Sequence, residues 1–174
     1  GAPPQLTEVP VPEPGPGEVL VEVAATGLCH SDLDMARMPG ELGEALGWQV
    51  PFTLGHEVAG HVAALGPGVA GPPPGAAVVL VSPASCGGCD ACRRGHDSAC
   101  PHGTAGRGYG RDGGLARYVT APARSVVPLI DGVDPVAAAP LTDAGATAHH
   151  AVDRVAPRLE PGSTAVVVGV GGVG

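Results

Sequence analysis

Short apolar stretches broken by glycine and proline make up most of the chain. After the stiff PVPEPGPGE of residues 10–18, EVLVEVAAT (18–26) alternates apolar and polar side chains and is rich in valine, which predicts a half-buried strand. TLGHEVAGHVAALGPGV (53–69) reads as a loop, a strand and a Gly-Pro turn. PPPGAAVVLVSP (72–83) adds a short strand, and GGLARYVTAPARSVVPL (113–129) holds two more. Up to about Leu129, short strands with Gly/Pro turns predict a barrel or sandwich.

The pattern then changes. Residues 131–162, DGVDPVAAAPLTDAGATAHHAVDRVAPRLEPG, are Ala-rich and predict helix, with Asp134 as N-cap, Pro135 at the first helical position and Pro140 dividing the segment in two. STAVVVGV (163–170) predicts a buried strand of the parallel type, running into glycines.

Composition sharpens this picture. Aromatic residues are 2% of the 174, so the core must be built from Val, Ala and Leu, which the 44% hydrophobic content permits. The net charge is -8 and every basic residue is arginine, a balance unsuited to binding nucleic acid. No apolar run approaches the ~20 residues of a membrane span, and the N-terminal stretch has no secretory-leader pattern. The expectation is a soluble cytoplasmic protein, in a compartment where disulfides are uncommon.

That compartment bears on the cysteines. Residues 86–100 read CGGCDACRRGHDSAC and carry four of the five, Cys86, Cys89, Cys92 and Cys100, spaced C-x2-C-x2-C-x7-C. Four thiolates close a tetrahedral zinc site, with Gly87, Gly88 and Gly95 allowing the tight turns. Four protein ligands leave no place for a substrate, so such a site is structural. An iron–sulfur cluster is the rival; the last gap of seven residues and the lack of a second cysteine set speak against it.

Cys29 stands apart in GLCHSD, just after the first strand. Gly55-His56-Glu57 opens the next strand, and Leu141-Thr142-Asp143-Ala144-Gly145 enters a helix. A thiolate, an imidazole and a carboxylate from three segments suit a zinc site with its fourth position open. Each also has an ordinary reading: a buried small thiol, a core histidine, a helix cap.

The motifs CHSD, GHE, the four-cysteine lobe, TDAGAT and the terminal GVGGVG occur in the order found in zinc-dependent medium-chain alcohol dehydrogenases, and the chain resembles their bacterial secondary-alcohol type. The resemblance implies a mainly β chain with an α/β part. Residues 1–140 would be a GroES-like β-barrel catalytic domain with its structural zinc lobe at 86–100. Residues 141–174 would be a linking helix and the first strand and glycine turn of a Rossmann-type domain.

It implies two Zn2+ per chain. Cys29, His56 and Asp143 match the catalytic ligands, and Cys86, Cys89, Cys92 and Cys100 the structural ones. Ser31 matches the hydroxyl that takes the alcohol's proton, Asp32 a carboxylate orienting the zinc-bound histidine, and Glu57 an acid behind the metal. His30 takes the place of a residue near the cofactor pyrophosphate. Gly169, Gly171, Gly172 and Gly174 match the glycines that approach the phosphates of NAD or NADP. Trp48, Phe52, Leu54 and Tyr109 are the bulky candidates for a substrate pocket. The implied reaction interconverts an alcohol, preferably secondary, and a ketone or aldehyde, in a parent expected to be a homo-oligomer.

Members of that family continue well past the glycine turn, so the chain reads as an internal fragment. Its rivals are a non-catalytic zinc-binding β domain and a zinc-free quinone reductase of the same fold.

Overall fold

The computed structural model describes residues 3–173. Strand β1 (Glu18–Gly27) is followed by helices α1 (His30–Arg37) and α2 (Gly40–Ala45), then by β2 (Glu57–Leu65) and β3 (Ala77–Leu80). Beyond β3 come the short helix α3 (Asp90–Arg93), the two-residue strands β4 (Gly106–Arg107) and β5 (Gly110–Arg111), and strands β6 (Tyr118–Pro122) and β7 (Val126–Pro128). Helices α4 (Pro135–Ala138) and α5 (Ala144–Val155) complete the regular elements.

Five strands form one sheet in the order β6-β1-β2-β3-β7, with every neighbouring pair antiparallel. Antiparallel strands with one buried face account for the alternation seen in the sequence. The inward side chains Val19, Val21, Val58, Val62, Val78, Leu80, Val119, Ala121 and Val126 form one cluster. It is aliphatic throughout, as the scarcity of aromatics requires. Fully burying each Val or Leu contributes roughly 1.5–3 kcal/mol, so this cluster holds the sheet together.

Register positions the chemistry. Gly27, the last residue of β1, lies opposite Glu57, the first of β2. Cys29 and His56 therefore emerge at the same edge of the sheet. Gly27 is needed there, because a Cβ would run into the Glu57 carboxylate. Ala138 and Ala139 are buried as α4 packs on β1 and β2, which brings the following residues over the same edge.

Between β3 and β4 a lobe leaves the sheet. Its neck is closed by an isolated bridge between Pro83 and Gly106 and by the Ala84 amide donating to the Ala105 carbonyl at 3.1 Å.

The C-terminal expectations hold in part. The Asp134 carboxylate accepts from the Val136 amide at 3.1 Å, with Pro135 starting α4, and a 3-10 turn over Ala139–Thr142 separates α4 from α5 at Pro140. The strand expected at 163–170 does not form: these residues have no regular structure, and Val166 and Val168 are 80% and 94% exposed. A parallel strand takes its hydrogen bonds and its burial from flanking strands, and the described residues supply none for it. Helices α1 and α2 were not foreseen; α1 has few apolar positions, so periodicity gives little sign of it.

Candidate metal centres and active site

Cys89 caps α3 and Cys92 lies within it, while Cys100 follows a 3-10 turn over Asp97–Ala99. The four sulfurs all lie within 4.8 Å of one another. Cys89 Sγ is 3.4 Å from Cys92 Sγ and 3.9 Å from Cys100 Sγ. A tetrahedral zinc with Zn–S near 2.3 Å sets its sulfurs about 3.8 Å apart, so spacing and donor type both fit that ion. Backbone amides point at the sulfurs: Cys89 N–H at Cys86 (3.3 Å), Cys92 N–H at Cys89 (3.5 Å) and Cys86 N–H at Cys100 (3.4 Å). Gly87 and Gly95 adopt positive φ, as the tight turns demand; Gly88 does not.

The protons are shared unevenly among these thiols. The Gly88 and Cys89 amides draw Cys86 down to about 6. At Cys89 the Cys92 amide pulls downward, but burial and the neighbouring sulfurs carry it up to about 11. Without a metal the cluster thus ionises in steps, whereas a coordinated thiol is deprotonated outright.

The second site is assembled from distant segments. One ligand atom each of Cys29, His56 and Asp143 fall within 4.8 Å of one another, and His56 Nε2 is 3.2 Å from Asp143 Oδ2. Tetrahedral ligands at about 2.0–2.1 Å lie near this separation, so this mixed donor set also fits zinc. His56 is buried while Asp143 and Cys29 are half-buried, which leaves one side open to solvent.

Asp32 organises the loops around the imidazole. Its Oδ2 accepts from the Cys29 amide at 2.9 Å, and its Oδ1 accepts from the Gly55 amide at 3.2 Å. Oδ1 also lies 3.3 Å from His56 Nδ1, within ion-pair range although not aligned as a hydrogen bond. Gly55 takes φ +94°, and a Cβ there would meet the Leu115 amide at 2.8 Å. One carboxylate therefore ties together the loops that carry Cys29 and His56.

Ser31 Oγ sits on the other side of the ring, 3.3 Å from His56 Nε2, and its residue is exposed. Glu57 is 3% exposed. Burial pushes its carboxyl above the ordinary value against the pull of the Ala144 amide, and the neighbouring Asp143 adds to the rise.

Three of the bulky candidates gather beside the site. Trp48 packs edge-on against Phe52 and is tilted against Tyr109, and Tyr109 meets the His56 ring edge-on at 6.1 Å. Trp48 Nε1 donates to the Thr104 carbonyl at 2.8 Å. Leu54 is half-buried, and its carbonyl accepts from the Leu115 amide.

The expected dinucleotide residues that the structure describes are exposed. His30 opens α1 and is exposed. Gly169, Gly171 and Gly172 lie in the exposed tail, where a Cβ on any of them would meet nothing within 4 Å. Gly174 lies outside the described residues.

The motifs gave no hint of Arg124. It lies in the turn between β6 and β7, far in sequence from any cysteine, yet its guanidinium rests against the four-thiol lobe.

Alcohol dehydrogenase GroES-like domains match residues 15–131. An NAD-dependent alcohol dehydrogenase from Sulfurisphaera tokodaii is 36% identical over 99% of the chain and 50% of its own length. An L-threonine 3-dehydrogenase from Pyrococcus horikoshii is 36% identical over 98% of the chain and 47% of its own. The crystal structure of the alcohol dehydrogenase from Aeropyrum pernix superposes with a TM-score of 0.80 at 36% identity, covering 91% of this chain and 46% of that one. The chain thus spans about half the length of these relatives. Among the described residues, no helix is long and apolar enough to cross a membrane. With the matched segment running from before β1 to beyond β7, the chain belongs to the family of alcohol dehydrogenase GroES-like domains.

Proposed function

We propose that this chain forms the catalytic half of a zinc-dependent dehydrogenase that interconverts an alcohol, preferably secondary, and its ketone or aldehyde using NAD or NADP. One observation carries the reading: Cys29, His56 and Asp143 converge within 4.8 Å, with Ser31 and Asp32 on opposite nitrogens of the same imidazole. The relatives named as alcohol dehydrogenases support the reaction class, and the threonine dehydrogenase among them keeps the alcohol's identity broad.

Zinc held by Cys29, His56 and Asp143 would supply a Lewis acid that polarises a substrate oxygen and eases the loss of its proton. Cys29 and Asp143 contribute two negative charges that balance the ion, and neutral His56 completes the set. Asp32 beside Nδ1 favours the tautomer that leaves the Nε2 lone pair for coordination. Ser31 would receive the substrate's hydroxyl proton and release it to solvent, a role that its exposure and its 3.3 Å distance from Nε2 support. Trp48, Phe52 and Tyr109 form an aromatic wall against His56 that keeps water from that side.

Cys86, Cys89, Cys92 and Cys100 would hold a second, structural zinc. Residues 1–140 make the zinc-binding barrel, and 141–174 lead into the dinucleotide half, where Gly169, Gly171, Gly172, Gly174 and His30 would approach the cofactor phosphates. In the relatives, about as much chain again accompanies the matched part.

Metal analysis and turnover of a protein that also carries the dinucleotide half test this. The expected result is about two zinc ions per chain, with Asp143→Ala retaining about one. That substitution should lower kcat/KM by ~10^3-fold or more, since several kcal/mol of charge stabilisation disappear. Unchanged turnover in Asp143→Ala would overturn the assignment, as would iron in place of zinc.

A further inference from the structure

We propose that Arg124 is a positioning residue for the four-thiolate zinc, providing a fixed positive charge against the cysteine loop and tying the metal lobe to the sheet. This rests on the reading of Cys86, Cys89, Cys92 and Cys100 as zinc ligands. The lobe leaves the sheet through its narrow neck, whereas Arg124 belongs to the sheet's own connections, in the 3-10 turn Ala123–Ser125 between β6 and β7.

Its guanidinium reaches both arms of the cysteine loop. Nη1 donates to Ser85 Oγ at 2.7 Å, one residue before Cys86. Nη2 lies 2.7 Å from Asp97 Oδ1, between Cys92 and Cys100 in sequence. A Cβ on Gly87 would sit 3.1 Å from Nη1, so the guanidinium lies flat against the backbone next to Cys86. Cys92, on the same loop, is only 6% exposed.

Electrostatics gives this placement a purpose. Four thiolates exceed the charge of one Zn2+ by two, and Asp97 adds a further negative charge beside them. A partly buried anion needs a partner. Of the lobe's own arginines, Arg94 is committed to Asp90 at 2.9 Å on the exposed face of α3, and Arg93 is exposed. Among the described residues, Arg124 is the cation held against the cysteine loop, through Ser85 and Asp97. A planar, weakly hydrated guanidinium can bond Ser85, pair with Asp97 and lie against the Gly87 backbone at once, which an ammonium on a flexible stem does less well. Its N–H groups withdraw charge from the thiolate, and Asp97 fixes the direction in which they point.

The test follows zinc leaving the loaded protein for a chromogenic chelator. The kinetic phase that disappears in Cys92→Ser reports the four-thiolate site. Arg124→Met should accelerate this phase by about tenfold and leave the other phase unchanged. Arg124→Lys should recover most of the retention, and Arg124→Gln, which keeps hydrogen bonding without charge, should resemble the Met variant. In cobalt-loaded protein the sulfur-to-cobalt absorption should shift in Arg124→Gln, a signature that loss of packing alone would not produce.

Should Arg124→Met fail to fold, the Gln and Lys pair decides the question. Equal release rates in wild type and Arg124→Gln, with unchanged cobalt spectra, would overturn the proposal. So would an Arg124→Lys variant that loses zinc as fast as Arg124→Gln. Absence of any Cys92-dependent zinc in the wild type would instead remove the underlying reading of the cysteines.

Discussion

The two candidate metal centres are built on opposite plans. The four-thiol lobe takes all its ligands from fifteen consecutive residues, and its geometry follows from two tight glycine turns and a short capped helix. The Cys29/His56/Asp143 site draws on three segments, brought together by strand register and by a helix packed over the sheet edge. A locally closed loop spends little chain entropy in gathering its donors and ends with no vacant position. A site gathered from distant segments depends on the barrel for its shape, and it can keep one face open. On the proposed function, the open cluster is the one suited to react and the closed one is suited only to hold.

If that contrast is right, losing a ligand has different consequences at the two centres. Cys92→Ser should release the structural zinc and lower the melting temperature by several degrees, because metal binding there is coupled to folding of the lobe. The catalytic zinc should remain. Calorimetry with metal counting checks this, and an unchanged melting temperature with full zinc content would break the comparison.

Asp32→Asn should act at the other centre alone. The side chain keeps an oxygen for only one of the Cys29 and Gly55 amides, turns an NH2 donor toward the other, and loses the charge that faces His56 Nδ1. Zinc affinity of the three-residue site should fall ~10–100-fold, as is usual when the partner of a ligating histidine is changed. Competition with a chelator, phase by phase, measures it; a weakening at both centres would show that Asp32 acts through general stability.

Glu57→Gln sharpens the comparison with the smallest effect. Burial holds the Glu57 carboxyl above its ordinary value. In metal-free protein the cost of ionising it is therefore absent in acid, and it grows as pH rises through the raised folded-state value. The Gln variant should match the wild type at low pH and melt higher by about 2–4 °C near neutrality. Zinc should narrow that gap, since the ion supplies the missing positive charge. A melting difference that does not vary with pH would show that the Glu57 carboxyl titrates alike in the folded and unfolded chain, against the rise that burial predicts.

The fold was largely legible in the sequence. Strands β1, β2, β3, β6 and β7 fall where valine-rich alternation and Gly/Pro turns predict them, because that pattern marks a sheet with one buried face. The N-cap at Asp134 and the interruption at Pro140 were equally local. Helices α1 and α2 escaped because neither carries an apolar stripe; α1 instead opens on a capping box of Cys29 and Asp32. The valine run at 163–170 misled for the opposite reason: its residues suit a strand, but a strand exists only beside partners.

What the amino-acid order determined by itself is the identity and local spacing of the donors, together with the strand pattern of the barrel. Covalent proximity alone brings Cys86, Cys89, Cys92 and Cys100 close enough to share an ion. Only the tertiary structure decided that Cys29, His56 and Asp143 meet, that Asp32 bridges two of their loops, and that Arg124 reaches back to a lobe it does not belong to. The physical reason is that such encounters are set by cross-strand register and side-chain packing between remote segments, and neither leaves a periodic trace along the chain.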